Sequence, residues 1–388
     1  MSERPWWKTP RAVYIHIPFC TNKCHYCDFN SYVLKGQPVM DYLNALEREM
    51  EWTVKRIVPE QVDTIFVGGG TPTVLTPEQM DVFLRMVRTY FPQRAAGAEM
   101  TMEANPGTTD REKLAVMKEG GVNRLSFGVQ SFDTELLARI GRIHSVDDVY
   151  ASLENARQLG FGNVSIDLMF GLPNQTLEQL DKSISAALAL DLQHYSIYGL
   201  KVEENTLFHT LFQRNELPLP EEEVELGMYR LIMDRLKAAG YGQYEISNFA
   251  KPGFESRHNS AYWRNESYYG LGAGAHGYLG GVRHVNIKGV QPYIDAAAKG
   301  FPVLETAPVT RHEAMEDFMM VGLRLLKGVS RQDFHEQFGV ALEEPFGPLL
   351  VRLTKRGLLE ETAEGYKLSE AAIMYANDVF GEFVGFFS

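Results

Sequence analysis

"IHIPFCTNKCHYCDFN", residues 15–30, contains every cysteine of the chain: Cys20, Cys24 and Cys27. Three thiols cannot all pair with one another, and no further cysteine exists to partner them, so a disulfide framework is a poor reading. Spacings of four and three residues suit one loop wrapping its thiolates around a metal. The pattern C-x3-C-x2-C can hold three corners of a 4Fe–4S cube and leave the fourth iron without a protein ligand, an open and therefore reactive position. A structural zinc site built from the cysteines with His16 or His25 is the competing reading. Structural zinc usually draws on two knuckles far apart in sequence, and nothing here supplies the second. Two positions beyond Cys27, where a fourth cysteine would extend the run, stands Phe29.

Working outward, "AVYIHIPF" (12–19) reads as a strand feeding the cysteine loop, and residues 38–58 as a helix with an apolar stripe. "VDTIFVGGG" (62–70) is a strand entering a glycine loop, and residues 76–91 a helix opened by Thr76 and Pro77. Further strands are expected at 98–106, 124–131, 163–173 and 194–200, with helices around 110–118, 133–139, 146–159 and 176–189 between them. Six such alternations predict an α/β fold, a parallel sheet with helical crossovers closed fully or partly into a (β/α)6 TIM-like barrel. Cys20, Gly68 to Gly70, Glu103, Gln130 and Asp167 all fall just after strands, on the face where parallel architectures assemble their sites.

The pattern changes after about residue 205. Three regions are expected: a barrel core over 1–205, a barrel-completing and linking region over 206–305, and a C-terminal module over 306–388. "LTKRGLLEETAEGYKLSEAA" in that module suggests a helix, a two-stranded wing and another helix, as in winged-helix folds. From Val309 to Ser388, 8 Lys/Arg stand against 13 Asp/Glu, and the whole chain carries −12, so nucleic-acid binding is not expected. No run of apolar residues is long enough to span a membrane, and the N-terminus lacks a signal-type apolar core, so a cytoplasmic location is expected. Trp6 and Trp7 read first as packing residues, with a peripheral membrane or partner contact left open.

Taken together, the strand, C-x3-C-x2-C, Tyr26 between the last two cysteines and "GGGTP" resemble the radical S-adenosylmethionine (SAM) superfamily. The resemblance implies a 4Fe–4S cluster on Cys20, Cys24 and Cys27, with SAM chelating the open iron and cleaved reductively to a 5′-deoxyadenosyl radical. It implies that Gly69, Gly70 and Thr71 receive the SAM amino group and that Tyr14 lies near the first SAM. Glu103, Gln130, Arg142 and Asp167 match positions that the coproporphyrinogen-oxidase-like branch uses for one or two SAM molecules. On bulk grounds, "FVGGGTPTVL" is a poor phosphate loop, because it lacks the Gly-Lys-Ser/Thr ending.

Two members of that branch compete. The oxygen-independent coproporphyrinogen III dehydrogenase decarboxylates propionates to vinyl groups, but it carries a fourth cysteine where this chain has Phe29. It also has a longer arm than the 19 residues that precede Cys20 here. The HemW-type haem chaperone group shares both departures, and its haem motif H-N-x-x-Y-W is intact as His258, Asn259, Tyr262 and Trp263. Resemblance to that group implies haem as cargo, haem-accepting respiratory proteins as partners and no established catalytic residue; a homodimer is left open. A neutral histidine can ligate haem iron and aromatic faces can cover the macrocycle. His258 could equally be a hydrogen-bonded core residue, and His276 in "GAGAHG" is an alternative ligand or lies near the SAM pocket.

Overall fold

The computed structural model describes residues 5–388. Alternation decides which way each strand faces. In β1 (Ala12–Ile17), Val13, Ile15 and Ile17 are fully buried in the apolar layer shared with the helices, while Tyr14 and His16 fall on the opposite face. The pattern repeats in β2 (Val62–Gly69), β3 (Arg94–Ala104), β4 (Arg124–Gln130), β5 (Val164–Phe170) and β6 (His194–Gly199). Their outward residues are apolar, such as Ile65, Met102, Phe127, Ile166 and Ile197. The residues alternating with them include Thr64, Thr101, Arg124, Ser165 and His194, all buried and all polar. An ordinary (β/α) barrel fills its interior with branched aliphatics; this one packs hydrogen-bonding groups there instead.

The six strands lie side by side in chain order, every neighbouring pair parallel. The sheet extends beyond the six that periodicity predicts. Past β6 it continues through β7 (Gly242–Glu245) and β8 (Asn248–Ala250), with β8 antiparallel to both β6 and β7. On the other side, β9 (Tyr268–Leu271) pairs parallel with β1, so a seventh parallel strand flanks the first. Three antiparallel strands follow it: β10 (His276–Leu279), β11 (Val282–Asn286) and β12 (Val303–Pro308). β12 and β7 stand at the two ends of this sheet and do not pair with each other, so the barrel is partial.

Helix starts carry their own instructions. Thr76, Ser145, Thr176 and Thr310 each close a reciprocal capping box with the residue three positions on. A second apolar core gathers Phe334, Phe346, Leu350, Leu353 and Val379 beneath a three-stranded sheet of Val329–Ser330, Gly365–Leu368 and Leu359–Glu361. The element after this wing begins as the 3-10 segment Glu370–Tyr375 rather than as an α-helix. Trp6 packs on that second core and Trp7 lies against Gly281, so both rings are employed within the chain. Among the described residues no helix is long and apolar enough to cross a membrane.

Candidate functional site

The three cysteines sit on the loop leaving β1 and line one cavity of about 330 Å3 at the C-terminal ends of the parallel strands. Two of them receive hydrogen bonds from the ends of a single polar chain. Arg142 Nη1 donates to Cys24 Sγ over 3.6 Å, and Arg142 Nη2 donates to Asn105 Oδ1 over 2.8 Å. Asn105 Nδ2 donates to Thr71 Oγ1 (2.8 Å), which donates to Cys20 Sγ (3.6 Å). Burial pushes the Cys20 and Cys27 thiols up, so both stay protonated until a metal displaces the proton. Among the described residues no three His, Cys, Asp or Glu side chains converge as a single ion requires. Thiolates serving three different irons of a cube need no such convergence, and the donor set fits a cluster better than mononuclear zinc.

The glycine loop closes one wall. Gly69 has φ 107°, and a Cβ there would lie 2.3 Å from the His16 ring; a Cβ on Gly70 would lie 2.5 Å from the Phe19 carbonyl oxygen. Its successive N–H groups all turn to protein acceptors: Gly69 to Glu103 Oε2, Gly70 to the Ile17 carbonyl and Thr71 to the Phe19 carbonyl. The loop therefore has none of these donors to offer an anion, which agrees with its failure as a phosphate motif and suits an ammonium group.

Glu103, Gln130 and Asp167 complete the wall. The surrounding protein excludes enough water to push Glu103 up to about 7, with the neighbouring Asp167 charge adding to it; burial pushes Asp167 up to about 6. Such carboxyl groups gain from ligand hydroxyls or a ligand cation. Gln130 occupies φ 69°, a left-handed conformation that costs a non-glycine residue about 1–3 kcal/mol. A register shift between β4 and β5 accompanies it.

A second, larger chamber of about 1060 Å3 adjoins the first and shares Lys23, Cys27, Phe29, Gly69, Glu103 and Tyr198 with it. Tyr14 lines this chamber rather than the thiol cavity, its hydroxyl 2.9 Å from His16 Nδ1. Asn259 and Tyr262 of the H-N-x-x-Y-W motif also line it, while His258 and Trp263 do not. His258 is fully buried, with Nδ1 2.9 Å from Thr64 Oγ1 and Nε2 2.9 Å from the Tyr262 hydroxyl. Both ring nitrogens are thus occupied, as in a hydrogen-bonded core residue, and the ring does not reach the chamber. Trp263 lies under the Arg324 guanidinium, 4.3 Å from carbon to ring centre, and lines a separate groove beside the second core. The motif's helix, Arg257–Trp263, is anchored by Glu99, which accepts the N–H groups of Arg257 and His258.

Sequence reasoning missed Asn105, Tyr198 and Asn30. Asn105 follows Glu103 in "EANP" and carries the same signal, a polar residue just past a strand. Asn30 carries no sequence signal. Its Nδ2 donates to the carbonyls of Ala273 (2.8 Å) and Lys288 (2.9 Å), partners that only the fold brings near.

Thiol loop and carboxylate-lined cavity at the mouth of a parallel partial barrel define a radical SAM protein, and residues 14–187 match the Radical SAM superfamily model. Residues 309–375 match the HemN C-terminal domain. The chain belongs to the HemW family. It is 49% identical over 376 residues to the heme chaperone HemW of Bacillus subtilis, spanning 97% of this chain and 99% of that one. The heme chaperone HemW of Escherichia coli is 37% identical over 380 residues, spanning 97% and 98%. Among solved structures, the Escherichia coli coproporphyrinogen III oxidase HemN, described as a radical SAM enzyme, superposes with a TM-score of 0.85 over 98% of this chain and 91% of that one. At 24% identity that likeness speaks for the fold alone.

Proposed function

We propose that this chain is a haem carrier on a radical SAM scaffold, binding haem and delivering it to haem-dependent respiratory proteins in the cytoplasm. Cys20, Cys24 and Cys27 would hold a 4Fe–4S cluster, and Tyr26, Gly69, Gly70, Thr71, Glu103, Gln130, Arg142 and Asp167 would hold SAM. When bound, the cluster supplies a single electron to the sulfonium of SAM. The chain's own residues do the rest: Arg142 and Thr71 stabilise thiolate charge, the glycine loop accepts an ammonium group, and Glu103 and Asp167 meet hydroxyls. The division at about residues 205 and 305 belongs to the same proposal.

One observation carries the reading: a chamber of about 1060 Å3 with aromatic walls opens beside the thiol cavity. Pockets for small ligands usually run to about 300–1,000 Å3, so this one accommodates a macrocycle. The names of the full-length relatives support haem as the occupant. Phe29, 59% exposed, stands at the wall common to both cavities, where a fourth cysteine is absent. The test is transfer. Anaerobically reconstituted protein is loaded with haem, separated from free haem and mixed with an apo-cytochrome; the reading expects the acceptor's spectrum to develop faster than with free haem alone. Haem that is never taken up, or never leaves for any acceptor, contradicts it.

A further inference from the structure

The larger chamber has two histidines on its wall, and they differ in availability. His16 is spent: Nδ1 lies 2.9 Å from the Tyr14 hydroxyl and Nε2 2.8 Å from the Asn30 carbonyl oxygen. His276, the first residue of β10, is solvent-exposed, and among the described residues its ring makes no hydrogen bond. Its backbone is nonetheless held firmly. Asn30 grips the Ala273 and Lys288 carbonyls, Tyr42 Oη accepts from Ala273 N (3.0 Å), Glu49 accepts from Gly272 N (2.8 Å), and β10 pairs with β11 at His276–Val285. A free imidazole on a fixed backbone, facing a large aromatic chamber, is what an iron ligand requires.

Charge sets the orientation. Lys288 lies on the same wall, and among the described residues it has no ion-pair partner. Lys23, the other lysine there, is committed to the Phe29 carbonyl and the Ser31 hydroxyl. Asp28, Glu203 and Glu204 line the chamber as well and would repel carboxylates. Resting on the haem-carrier reading above, we propose that His276 is the protein ligand to the haem iron and that Lys288 pairs with a haem propionate. Ligation is a lone-pair donation from neutral imidazole, with no proton or electron changing hands.

The test is anaerobic titration of the full-length protein with haem, read by the Soret band and by electron paramagnetic resonance. His276→Ala should change the spin state and weaken binding by about tenfold or more, since losing even a residue that merely supports a metal ligand has effects of about 10–100-fold. Added imidazole should restore the wild-type spectrum, which a merely unfolded variant would not allow. Lys288→Ala should erase any preference for haem over its dimethyl ester. A His276→Ala spectrum identical to wild type overturns the ligand assignment, and an unchanged ester preference overturns the propionate contact. Wild-type protein that takes up no haem overturns the carrier reading itself, a distinct result.

Discussion

At the scale of single residues, His258 and His276 show how context outranks identity. His258 sits in the six-residue H-N-x-x-Y-W segment, yet Thr64 and Tyr262 occupy both its nitrogens and Phe66 stacks on its ring at 5.2 Å. Burial, reinforced by the Arg124 charge, holds its pKa at about 3, so the ring is neutral throughout the working range. His258→Ala should therefore destabilise the fold by about 2–4 kcal/mol, from two unpaired hydroxyls and a cavity. Urea unfolding would register that loss, while the spectrum of bound haem should stay as in wild type. A changed spectrum with unchanged stability would return His258 to the iron. Nothing in the sequence could separate these outcomes, because the partner Thr64 lies in β2, remote along the chain.

Elements were far more legible than contacts. Apolar periodicity placed six of the seven parallel strands, and Thr76 and Pro77 marked a helix start that the structure closes as a capping box. The thiols, the glycine loop, Glu103 and Asp167 were legible because polar and glycine residues just past parallel strands have one face to go to. β9 escaped notice, since "YYGL" is short and its parallel partner β1 is more than 250 residues away. Glu49 was equally hidden, because "EREM" reads as the solvent face of an amphipathic helix. In the fold it is fully enclosed, accepting from Gly272 N, Asn286 Nδ2 and Tyr293 Oη, and burial pushes it up to about 7 despite those donors. The native state thus binds a proton that the unfolded chain, with a glutamate near 4.5, has released. Stability from this group is full below about 4.5, falls as pH rises, and is lost above about 7. Between pH of about 5 and 8, Glu49→Gln should flatten the decline of the urea midpoint, by on the order of 2–3 kcal/mol. An unaltered pH slope would show that Glu49 titrates normally.

On the scale of the whole molecule, two cores meet where Arg324 covers Trp263 and pairs with the buried Glu245 over 3.3 Å. The active face lies on the barrel, where a thiol cavity and a larger aromatic chamber share one wall. That shared wall permits two outcomes for a porphyrin: carriage intact, or oxidation by a radical formed next door. Phe29 in the fourth-cysteine position favours carriage. The most direct measurement follows both at once, in a single anaerobic reaction of reconstituted protein with SAM, a reductant, haem and coproporphyrinogen III. The account predicts a Soret band from bound haem and no protoporphyrinogen. SAM-dependent protoporphyrinogen formation without haem uptake would contradict it.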